Sequence, residues 1–434
     1  MRSALERWLT RASTPAFSTY AIAAAFTAYF AMYAVRKPFA AAAFANGEVW
    51  GVQLKIALVL GQVLGYALSK FLGIKFVSEI PPRRRPLALI ALLLVAELAL
   101  VAFAALPPGG QVVAMFCNGL PLGAVWGLVF GFLEGRRTTE ILGAGLSTSY
   151  ILASGAVKSL GAWLLDLGVD EEWMPAATGA LFVPPFLLAV WLLARLPQPT
   201  AADEHARTRR APMFGAERKA FVRRFFVGIA LLTLAHVALT SYRDFRDNFA
   251  AELWTALGYG DAPAMFTYSE IPVALAVVAG LAAIYRVRDN RRAFFWVHVL
   301  MAGGAALVAS ATLLFDLGVI SGPVWMVAVG IGLYLGYVPF GTVLFDRLIA
   351  ATGAVGTAVF MIYVTDAFGY LGSIGVLLFK NFAHAELSWL DFFRGFSYAG
   401  GIGCTAAFAA SAWYFARKSA PAPADGDGDG VGRR

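Results

Sequence analysis

Cysteine, histidine and charge are all scarce in this chain of 434 residues. It has two cysteines and four histidines, and only 14% of its residues are charged. Both cysteines, Cys117 and Cys404, lie inside apolar runs, so neither a disulfide framework nor a zinc site is expected. Soluble domains carry about 25% charged residues on average, so the shortage of charge argues against a soluble fold.

Sequence signatures of catalysis are missing as well. The apolar runs contain no His/Asp metal set, no serine-centred nucleophile motif and no pair of histidines at catalytic spacing. Glycine-rich stretches at 119–131 and 330–341 lack the strand and the P-loop spacing of a nucleotide site, and they predict close helix packing instead. We therefore predict that the protein is not an enzyme and has no metal or cofactor.

Apolar residues make up 59% of the chain, and its mean hydropathy is +0.68. Runs of about 20 residues recur along the whole length, and each is long enough to cross a bilayer as a helix. The sequence predicts an all-α membrane protein, without the short alternating segments of a β-barrel. The first run is too long for a signal peptide. The twelve predicted spans are 16–45, 51–76, 86–106, 110–134, 140–168, 174–196, 222–251, 263–286, 292–316, 322–346, 353–380 and 387–416.

The net charge of +8 comes from basic residues that cluster in every second loop between the spans. The loops at 75–85, 136–137, 195–224 and 286–292 are basic, whereas the alternate loops have almost no lysine or arginine. This positive-inside pattern predicts that both termini are cytoplasmic. It explains the charge without a nucleic-acid partner, and the spans make the lipid bilayer the partner of a multi-pass protein. The frequent use of alanine, glycine and arginine indicates a bacterial inner membrane.

The chain divides at one long polar interruption, residues 197–221, which reads as a cytoplasmic linker. We predict a six-helix half at 1–196, a second at 222–417 and a disordered tail at 418–434. The halves echo each other, because RKPFAA at 36–41 and RDNFAA at 246–251 both lie about 20 residues into the first span of their half. Two six-helix halves around a central site describe the major facilitator architecture. Twelve spans suffice for a monomer.

Arg36 and Lys37 stand side by side in the apolar run 20–44. Each cation near the bilayer centre is unfavourable by roughly 2.5–3.5 kcal/mol, so such a pair is expected only where it faces a polar interior. The sequence therefore predicts a pathway for a small anionic substrate.

The run AYFAMYAVRKPFAAAAF at 28–44 resembles the first helix of the organophosphate:phosphate antiporters, a branch of the major facilitator superfamily. Residues 58–85 (LVLGQVLGYALSKFLGIKFVSEIPPRRR) resemble the second helix of that branch and its basic loop, and 356–372 resemble the eleventh. The chain is also similar to a bacterial group of uncharacterised relatives within the superfamily. The resemblance implies alternating-access transport of a phosphorylated anion.

In those antiporters one arginine from each half holds the phosphate. The resemblance places the first at Arg36; direct comparison places the second at Arg243, whereas the internal echo favours Arg246. Lys70 matches a lysine of the second helix. The family's fifth-helix histidine has no counterpart here, and Lys158 is the only basic residue in that stretch. Guanidinium groups suit this role because they bind phosphate bidentately and stay charged.

Other polar residues in the spans complete the predicted site. Tyr33 and Tyr242 are candidate substrate ligands, with packing as the alternative. Four carboxylates are candidates for proton coupling or for counter-ions, namely Asp244, Asp247, Glu270 and Asp366. Asp244 and Asp247 have a structural alternative, because each is a possible neutralising partner for the neighbouring arginines.

Three functions fit these residues. The first is a secondary transporter of a small organic anion, coupled to phosphate exchange or to protons. The second is a receptor with a transporter fold that binds an anion without flux. The third is a membrane enzyme acting on a lipid phosphate, for which the sequence offers no catalytic motif.

Overall fold

The computed structural model describes residues 4–44, 47–136, 138–199, 203, 215–352, 358–383 and 386–418. Almost all of this part of the chain is helical. The only sheet within it is a hairpin of β1 (Glu48–Val49) and β2 (Val52–Gln53), which pair antiparallel through Val49 and Val52. The predicted all-α architecture is confirmed.

Six membrane spans precede residue 197, and a short helix comes before the first of them. These helices are α1 (Ala4–Leu9), α2 (Thr14–Arg36), α3 (Leu54–Glu79), α4 (Arg85–Ala105), α5 (Pro108–Leu122) with α6 (Val125–Leu133) as one broken span, α7 (Thr139–Asp166) and α8 (Met174–Ala194). We call this set the N-terminal half.

Six further spans form the C-terminal half, interspersed with short helices. These helices are α9 (Gly215–Arg224), α10 (Phe226–Asn248), α11 (Ala250–Ala256), α12 (Met265–Tyr268) with α13 (Glu270–Tyr285) as one span, α14 (Asn290–Asp316), α15 (Gly322–Thr342), α16 (Leu344–Thr352), α17 (Ala358–Leu378) with a π-helical turn (Phe379–Ala383), and α18 (Trp389–Lys418).

Length and composition mark these helices as membrane spans. Within the described residues, ten helical segments are long and apolar enough to cross a bilayer. The other two spans, α7 and α18, have 28 and 30 residues and are more polar. Large apolar side chains point outward in mid-helix, for example Leu98 in α4 and Leu275 in α13, at 66% and 67% exposure. The protein is therefore an integral, multi-pass membrane protein.

The first predicted span, 16–45, is wrong at its C-terminal end, because α2 stops at Arg36. Pro38 has no backbone N–H to continue the helix, and it disfavours helical geometry at the preceding residue. Lys37 becomes the C-cap, and a short 3₁₀ helix, Pro38–Ala41, follows. The two cations therefore lie at the end of the helix and not inside it. Helix α10 stops two residues beyond the matching place, at Asn248, which is the counterpart of Pro38.

Helices α3 and α5 pack closely because glycine occupies their contact. A Cβ atom on Gly65 would lie 2.2 Å from the Phe116 carbonyl oxygen, and one on Gly119 would lie 2.1 Å from that of Gln62. No side chain fits at either distance. The two backbones therefore touch, and polar residues beside the glycines reach the end of α2.

Candidate functional site

A small cavity of about 40 Å³ lies where the two halves meet. Six tyrosines line it, together with a tryptophan, two cations, a histidine and a carboxylate. Its lining residues are Tyr29, Tyr33, Tyr66, Lys70, Trp126 and Tyr150 from the N-terminal half, and His236, Arg243, Tyr337, Gly341, Ile362, Asp366 and Tyr370 from the C-terminal half.

The end of α2 is held in place by two buried amide side chains. The last carbonyls of a helix have no partner within the helix. Gln62 Nε2 donates to the Arg36 carbonyl at 2.8 Å, and Asn118 Nδ2 donates to the Val35 carbonyl at 3.1 Å. Gln62 also donates to Asn118 Oδ1 at 2.8 Å. Helices α3 and α5 thereby fix the position of Arg36.

The Arg36 side chain is 2% exposed and lies over an aromatic ring. Its Cζ is 3.8 Å from the centre of Tyr66 and 5.9 Å from that of Tyr370. Cation–π contacts of this kind contribute about 0.5–2 kcal/mol. Across the described chain Arg36 has no carboxylate as an ion-pair partner, and its Nε has no hydrogen bond. Its charge is available to an anion.

Arg243 enters the same region from the C-terminal half. Its guanidinium donates to the hydroxyls of Tyr337 and Tyr370, the second at 2.9 Å, and to Asp244 at 2.8 Å. Tyr370 stacks near Tyr66, with ring centres 4.7 Å apart. Arg36 therefore contacts Tyr66 and Arg243 contacts Tyr370, and these two rings form a pair between the halves.

Asp247 joins the halves on the periplasmic side of the cavity. Its carboxylate pairs with Lys37 and with Lys158, both at 2.7 Å, and it accepts a hydrogen bond from Ser154. Lys37 also donates to Asn248 at 2.7 Å. We call Lys37, Ser154, Lys158 and Asp247 the Asp247 clasp.

Asp366 joins the halves at the cavity itself. One carboxylate oxygen lies 3.1 Å from Lys70 Nζ of the N-terminal half, and the other lies 3.1 Å from His236 Nε2 of the C-terminal half. The His236 ring stacks on Tyr337, with centres 5.1 Å apart. We call Lys70, His236 and Asp366 the Asp366 triad.

Five of the predicted ligands are not among the residues that line the cavity, namely Arg36, Lys37, Lys158, Arg246 and Tyr242. Arg246 donates to Glu270 at 2.7 Å and to the Met326 carbonyl at 3.1 Å, so its guanidinium is used within the C-terminal half. Tyr242 hydrogen-bonds Ser397 at 2.7 Å and stacks on an aromatic ring of α18. Of the two arginines between which the sequence did not decide, Arg243 is the one that lines the cavity.

The buried charges do not balance. The predicted cations are Arg36, Lys37, Lys70, Lys158, Arg243 and Arg246, and all six are buried. They face four carboxylates, namely Asp244, Asp247, Glu270 and Asp366. Asp247 serves two lysines, and Arg36 has no carboxylate, so this group carries a formal charge of +2. Such a site is complementary to a dianion.

Several residues of the site were not singled out from sequence. Gln62, Asn118 and Ser154 are uncharged, and Tyr66 and Tyr370 are common in membrane helices. An amide in the middle of an apolar run was the available signal for Gln62 and Asn118, since a polar group in a span needs a partner. Tyr66 and Tyr370 gave no comparable signal, because either aromatic ring suits a lipid-facing or interfacial position.

A family model described as "Family of unknown function (DUF5690)" matches residues 38–418. The chain belongs to this family. The matched range begins just after Arg36 and Lys37, and it covers the other charged residues of the site. A comparison with curated protein sequences gives no match.

Comparison with solved structures shows which fold this chain has. The chain is similar to the crystal structure of a D-xylose-proton symporter, with a TM-score of 0.60 and 12% identity over 89% of this chain and 96% of that one. It is also similar to the major facilitator superfamily proton:xylose symporter XylE bound to 6-bromo-6-deoxy-D-glucose, with a TM-score of 0.61 and 13% identity over 94% and 97%. The chain has the major facilitator fold. Neither structure is named as an organophosphate:phosphate antiporter.

Proposed function

We propose that the protein is a secondary active transporter of a small organic anion, with a phosphorylated solute as the first candidate. The fold supports a transporter, and the excess of two buried cations supports an anionic cargo. The halves, residues 1–196 and 222–417, would rock about the cavity as a monomer. The observation that carries the proposal is Arg36, a buried guanidinium that has no carboxylate partner in the described chain.

The geometry supports alternating access in which Arg36 and Arg243 both bind the anion. Each comes from a different half, and each contacts the ring of the Tyr66–Tyr370 pair that belongs to its own half. Without an anion, the two positive charges oppose close approach of the halves. A bound anion favours closure because it interacts with both, which is the differential affinity that a transport cycle needs. This arrangement matches the resemblance of the first helix to the organophosphate:phosphate antiporters.

Ligand binding to purified protein tests the proposal. We expect glycerol 3-phosphate, a hexose phosphate or inorganic phosphate to raise the temperature of unfolding, because a ligand that binds only the folded state stabilises it by mass action. Arg36→Ala should weaken that binding by roughly 10- to 100-fold, since a charge-assisted hydrogen bond contributes about 1.5–3 kcal/mol. Arg292→Ala, at an exposed position near the start of α14, is the matched control and should leave binding unchanged.

Flux decides between the transporter and the receptor. Proteoliposomes that accumulate the bound anion, and lose uptake with Arg36→Ala, would support transport. Binding without flux, under conditions where a known transporter is active, would identify a receptor with this fold. If Arg36→Ala bound every anion as tightly as the wild type does, the central claim that Arg36 binds the anion would be wrong.

A further inference from the structure

The Asp366 carboxylate has one partner from each half of the protein. Lys70 on α3 reaches it across the interface at 3.1 Å, and His236 on α10 reaches it within the C-terminal half at 3.1 Å. All three side chains line the cavity. Any movement that separates α3 from α17 therefore removes Lys70 and leaves the histidine in place.

His236 has an unused position for a proton. Its Nε2 faces a carboxylate, so Nε2 carries a hydrogen and donates it. Its Nδ1 is buried and has no hydrogen-bond partner. While Lys70 neutralises Asp366, a second cation beside the carboxylate is not needed, and the neutral ring is favoured.

We infer that Lys70 and a proton on His236 are alternative cationic partners of Asp366, so that an anion which draws Lys70 away brings one proton into the protein. This inference rests on the proposed anion transport. Loss of Lys70 would leave a buried carboxylate without a counter-charge, which is strongly unfavourable. A proton on Nδ1 makes His236 an imidazolium and restores the ion pair, with no other bond made or broken.

The neighbouring charges act in the same direction. The charged and titratable groups that face the pair are Lys70 and Tyr66 on α3, Tyr150 on α7, Arg243 on α10, Tyr337 on α15, and Tyr363 and Tyr370 on α17. The cations among them, Lys70 and Arg243, oppose a proton on His236. An anion bound to Arg243 neutralises that guanidinium, and it also attracts Lys70 away from Asp366. Binding of the anion therefore favours protonation of His236 in two ways.

Histidine NMR tests the exchange of partners without any substrate. The full chain, labelled with ¹⁵N-histidine in lipid nanodiscs, has four histidines, and His236→Gln identifies the signal of His236. At neutral pH we expect a neutral ring protonated on Nε2 in the wild type, and an imidazolium in Lys70→Met. Lys219→Met removes an exposed lysine on α9, outside the cavity and both ion-pair layers, and it should leave the His236 signal unchanged.

A neutral His236 in Lys70→Met, or an imidazolium already present in the wild type, would overturn the inference. Lys70→Gln provides a second variant of similar length in case Lys70→Met does not fold, and the same outcomes apply to it.

An experiment with glycerol 3-phosphate distinguishes failure of this inference from failure of the proposed function. Conversion of wild-type His236 to the imidazolium when glycerol 3-phosphate binds would support proton coupling, whereas binding with a neutral His236 would overturn it. Failure of this phosphate and of the other anions to bind would count against the proposed function, and the Lys70 variants would still decide whether the proton site exists.

Discussion

The two layers of ion pairs that join the halves differ in construction. On the periplasmic side Asp247 holds two lysines and a serine of the N-terminal half, and Lys55 pairs with Glu252 at 2.5 Å nearby. Toward the cytoplasm Asp366 holds a single lysine across the interface, and its second partner is in its own half.

This difference indicates which side opens more easily from the state described. Separation at the periplasmic side leaves one buried carboxylate without its two lysines. Separation at Asp366 breaks one cross-half pair beside a cavity, and the carboxylate keeps His236. We expect the Asp247 clasp to be the stronger closure and the Asp366 triad to be the part that responds to ligand and proton.

Asp247→Asn is expected to have the largest effect, because it leaves Lys37 and Lys158 buried without their carboxylate. Removal of one partner from a buried ion pair destabilises proteins by roughly 3–5 kcal/mol. The free energy of unfolding in mixed micelles, measured by titration with SDS, should fall accordingly. Ser159 on α7 donates to the Pro263 carbonyl of the other half at 2.7 Å. In a background without Cys117 and Cys404, Ser159→Cys should react faster with an impermeant thiol reagent from the periplasm when Asp247 is replaced. Unchanged stability and reactivity would show that the clasp does not close this side.

Asp366→Asn should have a smaller effect on stability, about 1–3 kcal/mol, because Lys70 and His236 face a cavity of about 40 Å³, which is large enough for water. The same SDS titration measures it. The variant should also bind anions without the proton uptake expected of the wild type, which the ¹⁵N signal of His236 reports. A loss of stability equal to that of Asp247→Asn would contradict the ranking of the two layers.

Arg347→Ala should have the smallest effect. Arg347 on α16 joins Glu140 of the N-terminal half at 3.0 Å near the cytoplasmic surface, and it also donates to Asn290. Partly exposed pairs contribute about 0–1 kcal/mol. We expect a change within that range in the same titration, and a loss comparable to that of Asp366→Asn would show that the cytoplasmic closure extends beyond the triad.

Hydropathy and loop charge were sufficient to predict the fold, because a bilayer imposes helix length and polarity on every span. The error at α2 arose from the continuous apolar run through Phe44, which hides the effect of Pro38 on the backbone. The sequence also drew attention to the charged residues near the cavity, since ionisable groups in apolar spans are conspicuous, and their role in binding a substrate stays a prediction.

Sequence indicated one of these pairs, Asp244 with Arg243, but it did not indicate that Asp247 pairs with lysines. Whether Arg246 pairs with Glu270, and Lys37 with Asp247, depends on which faces of the helices pack against each other. That arrangement follows from three-dimensional packing of small residues such as Gly65 and Gly119, and helical spacing alone does not give it. Gln62 and Asn118 stayed unassigned for the same reason, because their role depends on where α2 ends.

The contact between Lys37 and Asp247 also bears on the origin of the two halves. The echo between 36–41 and 246–251 makes these two residues equivalent under the pseudo-twofold relation between the halves, and they touch at 2.7 Å. In a symmetric pair of identical halves, a residue at this position would meet its own copy, lysine against lysine or aspartate against aspartate. The present clasp therefore requires two halves that have diverged within one chain, and a homodimer of either half could not form it.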